Sequence, residues 1–441
     1  MKNRRTRISA SILPFMLLLL SVAPCLWAQG LPSAPPEDVG LSGERLQRLN
    51  GVLQGYVDRD EVAGVVALIA RRGRVAYLES FGMADRESGR PMRPDAIFRI
   101  ASMTKPITTV AVMMLFEEGE LLLSEPIARY VPEFKDPNVL VPVQTEGVSD
   151  PPFVRAPAKR DITIRDLLAH TSGLTYGFFG HEHISDLYRK AGISDGLTQT
   201  EGTLGQMVKK LAELPLRSHP GESWEYGLST DVLGYLVEVV SGVTLDAFLR
   251  DRIFTPLGMR DTHFFLPEGK LDRLTAVYGP DKEGRIVRYP EEEQVLGPVV
   301  FSTSWHYKGP RTYYSGGGGL VSTISGYVRF LQMLLNGGEL DGVRLLSPKT
   351  IELMTVNHIG DLDFWSRGYR FGLGFAIHEG PASSGEMGSV GEYTWGGFFN
   401  TTFWVDPEEA MVGVMMTQLY PNDHLDIRQK FRVLAYQAIV H

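Results

Sequence analysis

Apolar positions near the two ends of the chain follow one pattern, and those in the middle follow another. Behind Ser42, the residues Leu46, Leu49, Leu53 and Tyr56 recur every three or four positions, which predicts an amphipathic helix with that serine as its N-cap. "GVVALIARRGRVAYLESFG" then reads as two strands of β-branched and apolar residues turning at Arg72-Gly73. Towards the far end the order is reversed. "NTTFWVDPEEAMVGVMMTQ" reads as a hairpin turning at Asp406-Pro407-Glu408, and the amphipathic "DIRQKFRVLAYQAIV" follows it. Strands and a helix at both ends predict one antiparallel sheet assembled from the two termini, with helices on its faces.

Between about 110 and 295 the patterned stretches are mainly helical: "TTVAVMMLFEEGE", "TIRDLLAHTSG", "GTLGQMVKKLAEL", "TDVLGYLVEVVSG" and "TLDAFLRDRIFTPLGM". The expected organisation is α+β. An α/β lobe comes from 37–110 and 296–441, and a mainly helical lobe from 111–295 is inserted into it. At 441 residues the chain exceeds the size at which one hydrophobic core stops growing, which agrees with two packed lobes.

The first residues set the expected address. Lys2, Arg4, Arg5 and Arg7 precede the apolar run "ILPFMLLLLSVAPCLWA", and a polar, proline-bearing stretch follows. Residues 1–28 read as an export signal with Ala28 at the cleavage point, so a periplasmic or secreted protein is expected. Pro14 and Pro24 interrupt the run, which weighs against an uncleaved membrane anchor. Membrane contact is therefore expected only through this segment. Cys25, the single cysteine, lies inside it. The mature chain then has no thiol, which excludes a cysteine nucleophile, a thiolate metal site and any disulfide. Loss of the signal leaves 40 basic against 52 acidic residues. An acidic chain without basic runs argues against a nucleic-acid partner.

Candidate chemistry starts at "RIASMTKPIT". The run "VAVMML" and the "EEGE" stop predict a helix over about 102–118, with Gly119 at its C-cap. Pro106 has no amide hydrogen, so the helix must begin within a few residues of it, near Ser102. Ser102 then occupies a first turn, where free N–H groups and the helix dipole favour developing negative charge. Lys105 lies one turn along on the same face. A lysine among apolar groups and a positive helix end is disfavoured in its charged form and can accept a proton. The tetrapeptide alone is common, so partners are required. "PGESWEYGL" delivers Tyr226 from a loop, and its phenol is suited to relaying a proton. In "YTWGGFFNTTFWVD", Gly396 and Gly397 sit at the start of a predicted strand and allow close approach of a substrate to the backbone. A strand N–H there can join that of Ser102 in an oxyanion hole.

Other motifs compete with this set. Gly192-Ile193-Ser194-Asp195-Gly196 matches the G-x-S-x-G elbow, but "SDLYRKA" before it is helical and polar, whereas the elbow needs a strand. His181-Glu182-His183 has no third ligand at helical spacing and reads as a solvated loop. His170 and Ser172 are too close in sequence to form a triad locally. Gly316 to Gly319 is not followed by Lys-Ser or Lys-Thr, so it reads as a flexible turn before "TISGYVRFLQMLLNGG".

Taken in order, Ser102-x-x-Lys105, Tyr226-Gly227-Leu228 and Trp395-Gly396-Gly397 resemble the serine β-lactamase and penicillin-binding superfamily. The nearest likeness is to the β-lactamase-like (family VIII) carboxylesterases related to class C β-lactamases. It extends through "ITIRDLLAHTSGL", "PGESWEY", "DVLG", "SGGGGLVST", "RFGLGF" and "WVDPEE", and covers nearly all of the chain after residue 37. The resemblance implies the β-lactamase/transpeptidase-like fold. Ser102 would be the acyl-accepting nucleophile, Lys105 would assist its deprotonation, and Tyr226 would shuttle the proton. The N–H groups of Ser102 and Phe398 would hold the oxyanion, and the substrate would lie along Leu228, Trp395, Gly396 and Gly397. Two departures stand out: Leu228 replaces the asparagine of tyrosine-x-asparagine, and Trp395-Gly396-Gly397 replaces lysine-threonine-glycine. The first removes an amide and the second a cation able to pair a lactam carboxylate, so neutral esters of short to medium acyl length become the expected substrates. No metal or organic cofactor is required for that chemistry. Two alternatives stay open: a β-lactamase or D-alanyl-D-alanine carboxypeptidase acting on β-lactam-like or cell-wall substrates, and a catalytically silent protein of the same fold.

Overall fold

The structure, a computed structural model, describes residues 30–143, 153–179 and 182–441, so the expected export segment 1–28 lies outside the described residues. Its largest sheet contains eight strands: β1 (Gly64–Arg71), β2 (Arg74–Asp85), β3 (Arg90–Pro91), β4 (Tyr369–Phe371), β5 (Ala376–His378), β6 (Tyr393–Gly397), β7 (Thr401–Asp406) and β8 (Met411–Met416). They are antiparallel, in the spatial order β4-β5-β6-β7-β8-β1-β2-β3. The β1–β8 pairing, with Val66 opposite Met416 and Ala70 opposite Val412, joins the two ends of the chain in mid-sheet. The β1–β2 loop is the expected two-residue turn. Arg72 and Gly73 both have positive φ, at 53° and 75°, as a tight hairpin of this twist requires. At the β7–β8 turn the Asp406 carboxylate accepts the N–H groups of Glu408 and Glu409, both at 3.1 Å.

Five helices frame the sheet and the site: α1 (Gly43–Asp58), α2 (Thr104–Glu117), α3 (Ser229–Ser241), α4 (Ile324–Leu335) and α5 (Ile427–Tyr436). Ser42 caps α1 by accepting the Arg45 N–H, and the four apolar positions anticipated from spacing are its buried face. Every residue of β1 is buried because both faces of the sheet are covered. Val65, Ala67 and Ile69 face α1 and α5, where they meet Leu49, Leu53 and Phe431. Val66, Leu68 and Ala70 point the other way into the larger core, with Ile107 of α2 and Val328 of α4. The α2 helix is buried all round from Thr104 to Leu115, and α3 packs on it. Thr163 and Thr203 form capping boxes with Asp166 and Gln206 at the starts of Ile164–Leu168 and Leu204–Ala212.

The return to the sheet comes earlier than the expected boundary at 296. Thr275 and Ala276 donate to the carbonyls of Ile97 and Ala84, and Tyr278 N–H bonds Gln418 O. The strands involved, such as Tyr278–Pro280, have three residues, too few to show a period in the sequence.

Candidate active site

The chain enters the site through a short strand pairing, Arg99 with Val321, and the Ile100 N–H bonds Leu320 O at 3.1 Å. A 3₁₀ turn over Ala101–Met103 follows, with Ala101 at φ 42°, and α2 proper begins at Thr104. The α-helix thus starts two residues later than anticipated, and Ser102 sits in the turn that leads into it. Pro106 is the third helical residue, where its missing N–H costs no helical bond.

Lys105 is 1% exposed. Its Nζ is 3.3 Å from Ser102 Oγ, 2.8 Å from Tyr176 Oη and 2.7 Å from Gly317 O. It also lies 4.6 Å from the ring centre of Tyr226. Burial lowers its pKa to about 7, against the opposing pull of the Asp231 carboxylate. A neutral amine beside the serine hydroxyl can take its proton. The Tyr226 hydroxyl accepts the Trp395 indole N–H at 3.2 Å. Burial pushes this phenol well up, against the lowering effect of Ser102 and Trp395, so it remains a proton donor at neutral pH.

Three members of this network have no role assigned from the sequence: Tyr176, and Asp231 and Gly317, which lie in the quoted stretches "DVLG" and "SGGGGLVST". Asp231, on α3, is 2% exposed and accepts the Ser315 hydroxyl at 2.7 Å. Burial raises its pKa, while Ser315 and Lys105 lower it. The glycine run 316–319 is tightly packed, in place of the flexible turn expected there. A Cβ on Gly316 would lie 2.6 Å from Thr230 O, and one on Gly317 would lie 2.4 Å from Asp231 Oδ2. Small residues are needed because α2 and α3 press against this loop. An acid inside the apolar stretch "TDVLGYLVEVV" was the available signal for Asp231; Tyr176 has none of its own.

The glycines of the third motif end β6 instead of starting the next strand, and Phe398, Phe399 and Asn400 make the turn into β7, with Asn400 at φ 67°. A Cβ on Gly397 would lie 2.2 Å from Thr401 Oγ1 and 2.4 Å from Ile100 O, so glycine alone lets the strand lie against the turn that carries Ser102. Ser102, Tyr226, Trp395, Gly396, Gly397 and Phe398 all line one cavity of about 620 Å³. Its walls are rich in aromatic rings. Trp365, 57% exposed at the rim, stacks on Trp395 with ring centres 5.7 Å apart and lies 5.1 Å from Tyr226. Leu228, expected along the substrate, is instead buried in the core at the N-cap of α3 and is not among the lining residues. An apolar side chain at a helix start turns inward where an asparagine would stay with polar partners.

The competing motifs fall elsewhere. Ser194 follows the helix Glu182–Ala191, has no strand before it, and its Oγ pairs with Thr200 Oγ1 at 2.8 Å. Ser172 is buried and paired with Ser229 Oγ at 2.8 Å. His170 lies behind Tyr226 with ring centres 5.0 Å apart and outside the lining. Burial and the Lys105 charge hold its pKa well below the ordinary value, so it supports the tyrosine as a neutral ring. His183 packs on Phe153 at 4.4 Å, while His181 and the Glu182 side chain lie outside the described residues.

Known proteins share this arrangement of chain. Esterase EstB of Burkholderia gladioli is 33% identical over 376 residues, spanning 84% of this chain and 89% of that protein. The lovastatin esterase of Penicillium rubens is 28% identical over 410 residues, spanning 87% and 96%. Among solved structures, EstCE1, described as a hydrolase with promiscuous acyltransferase activity, superposes with a TM-score of 0.76 at 29% identity, covering 89% of this chain and 99% of that one. Residues 49–437, from within α1 to just past the end of α5, match the Beta-lactamase family, and with that match the chain belongs to it.

Proposed function

We propose that the protein is a serine hydrolase that cleaves carboxylic esters of short to medium acyl length through an acyl-enzyme on Ser102. The observation that carries this reading is the buried Lys105 amine, 3.3 Å from Ser102 Oγ and with a pKa lowered to about 7. Neutral Lys105 takes the hydroxyl proton as Oγ attacks the ester carbonyl. The N–H groups of Ser102 and Phe398 receive the oxyanion. The proton passes through Tyr226 to the departing alkoxide, which leaves as the alcohol, and water then attacks the acyl-enzyme with the same groups in reverse. With Leu228 in the core, the case against an anionic lactam rests on Trp395, whose indole occupies the position of the family's lysine. Esterase EstB and the lovastatin esterase are named for ester cleavage, which supports the same reaction class here.

Acyl transfer to an alcohol is a second outcome of the same intermediate. It is favoured by the apolar cavity walls and by the description of EstCE1. Excess alcohol added during turnover would then divert product from acid to new ester.

The deciding experiment compares a chromogenic butyrate ester with a chromogenic cephalosporin, on the wild type and on Ser102→Ala. Ester turnover lost in Ser102→Ala and far above cephalosporin turnover supports the reading; ester turnover that survives the substitution overturns it. Fluorophosphonate labelling with peptide mapping is expected at Ser102, and not at Ser172 or Ser194. We also propose export through residues 1–28, for which the mature protein would begin at Gln29.

A further inference from the structure

Asp195 belongs to a motif that the proposed chemistry does not use, yet it lines the same cavity as Ser102. Its Oδ1 accepts the Gly177 N–H at 2.8 Å, and no other bond to this carboxylate is formed among the described residues. Gly177 lies between Tyr176 and Phe178, whose rings stack at 4.9 Å with 11° between their planes. Phe179 packs edge-on against Phe178 at 4.9 Å and faces Trp365 across 6.4 Å. All of these side chains line the cavity. A carboxylate is therefore held against the backbone of an aromatic wall, inside a space large enough for a small ester.

We infer that this corner of the cavity, formed by Asp195 with Tyr176, Phe178, Phe179 and Trp365, binds an alkylammonium group carried by the substrate. The inference rests on the ester-cleaving reading above and names a substrate class for it. Aromatic faces attract a cation through the ring quadrupole, and quaternary ammonium ligands are taken up by such walls. One carboxylate supplies the counter-charge. Burial raises the Asp195 pKa to about 6, so the group is mainly ionised at neutral pH and above. The net charge of −8 draws cations towards the molecule. Two arginines also line the cavity, and both are engaged: Arg432 pairs with Glu392 at 2.6 Å, and Arg428 donates to Asn400 Oδ1 and Gly397 O. Asp231, the acid that acts on Lys105, is held by Ser315 and is not among the lining residues. The cavity lining has two carboxylates: Asp195 forms no ion pair among the described residues, whereas Glu386 accepts the Tyr369 hydroxyl and faces Arg432.

The test uses two isosteric esters, butyrylcholine and 3,3-dimethylbutyl butyrate, which differ only in the charged nitrogen. The wild type is expected to favour the cationic ester in kcat/KM by about tenfold or more, the scale of a desolvated cation–π contact with a counter-charge. Asp195→Asn keeps an acceptor for the Gly177 N–H and removes the charge, and should collapse that ratio towards one; Asp195→Glu should restore part of it. A wild-type ratio near one, or a ratio unchanged in Asp195→Asn, overturns the inference. Calorimetric binding of the same two esters to Ser102→Ala measures the preference as a Kd ratio, without turnover. If wild type turns over neither ester but the Kd ratio behaves as stated, the hydrolase reading falls and the ammonium site stands.

Discussion

The Lys105 ammonium nitrogen lies 2.7 Å from the carbonyl oxygen of Gly317, and among the described residues no carboxylate is bonded to it. A backbone dipole and the Tyr176 hydroxyl thus hold a buried amine that a salt bridge would have kept charged. Because burial brings its pKa to about 7, the neutral form that the proposed mechanism needs is lost as pH falls below that value. For a neutral ester, kcat/KM is expected to rise about tenfold per pH unit below pH 7 and to level off above it. An ester pH profile that stays flat from pH 5 to 8 would exclude Lys105 as the base.

The same displacement has a consequence for stability. Lys105 is pulled from 10.5 in the unfolded chain to about 7 when folded, so the unfolded state binds more protons between those values and stability rises with pH across that window. Below pH 7 the folded protein carries the full cost of burying the charge. Lys105→Met removes this cost. The variant is expected to melt at higher temperature than wild type at pH 6, with an advantage that shrinks towards pH 10, while ester turnover falls by roughly 10²–10⁴-fold. Thermal melts at the two pH values check the first part and initial rates the second.

How much of this was legible in the sequence depended on whether a residue's partners lie near it in the chain. Ser42 and the α1 stripe, the Arg72-Gly73 turn and the Asp406 turn are local devices, and spacing revealed them. Ser102 and Lys105 were legible because Pro106 marks a helix start, and Tyr226 and Trp395 followed from motif order. Tyr176 and Gly317 reach Lys105 across 71 and 212 residues of chain, and no periodicity encodes that meeting. Leu228 departs from expectation for a related reason: its motif position suggests the cleft, but at the N-cap of α3 it is buried in the core. The 3₁₀ turn at Ala101–Met103 is likewise set by tertiary bonds, since Ile100 is fixed to Leu320.

The indole of Trp395 donates to Tyr226 Oη at 3.2 Å and so leaves the phenol's own hydrogen free for the reacting groups. Tyr226→Phe would remove the proposed relay and is expected to lower kcat by roughly 10²–10⁴-fold. Trp395→Phe keeps a ring in the cavity wall and loses only the N–H. Its expected loss is smaller, about tenfold, the scale of one hydrogen bond in a dry site. Equal losses from the two variants would show that the indole acts by more than this bond.

Gly397 brings β6 against the turn that carries Ser102. A methyl group there would meet Thr401 Oγ1 at 2.2 Å and Ile100 O at 2.4 Å, and a backbone oxygen cannot swing aside. Under the proposed mechanism, in which the Phe398 N–H is an oxyanion donor, Gly397→Ala should shift that group and cut kcat by about 10²–10³-fold, as loss of such a donor does. Gly396→Ala, whose Cβ would have 3.1 Å to its nearest neighbour, is expected to be much milder. Steady-state rates on one neutral ester rank the pair, and the reverse order would remove β6 from the oxyanion site.

Asp231 raises the proton affinity of Lys105 from α3 without touching it, and anchors Ser315 at the head of the glycine loop. These two roles separate in Asp231→Asn. The amide oxygen can still accept the Ser315 hydroxyl, but the negative charge that favours the ammonium form is gone. The Lys105 pKa should then fall below 7, so the acidic limb of the kcat/KM profile moves to lower pH while the plateau above pH 8 is largely kept. Asp231→Ala loses the anchor as well, leaving the Ser315 hydroxyl without its buried acceptor at a cost of about 1–3 kcal/mol, and should lower both melting temperature and plateau rate. The decisive readout is the direction of the limb in Asp231→Asn. A shift to higher pH would mean that the carboxylate does not stabilise the charged lysine, and the proton balance of the site would have to be assigned to Tyr176 and Tyr226 instead.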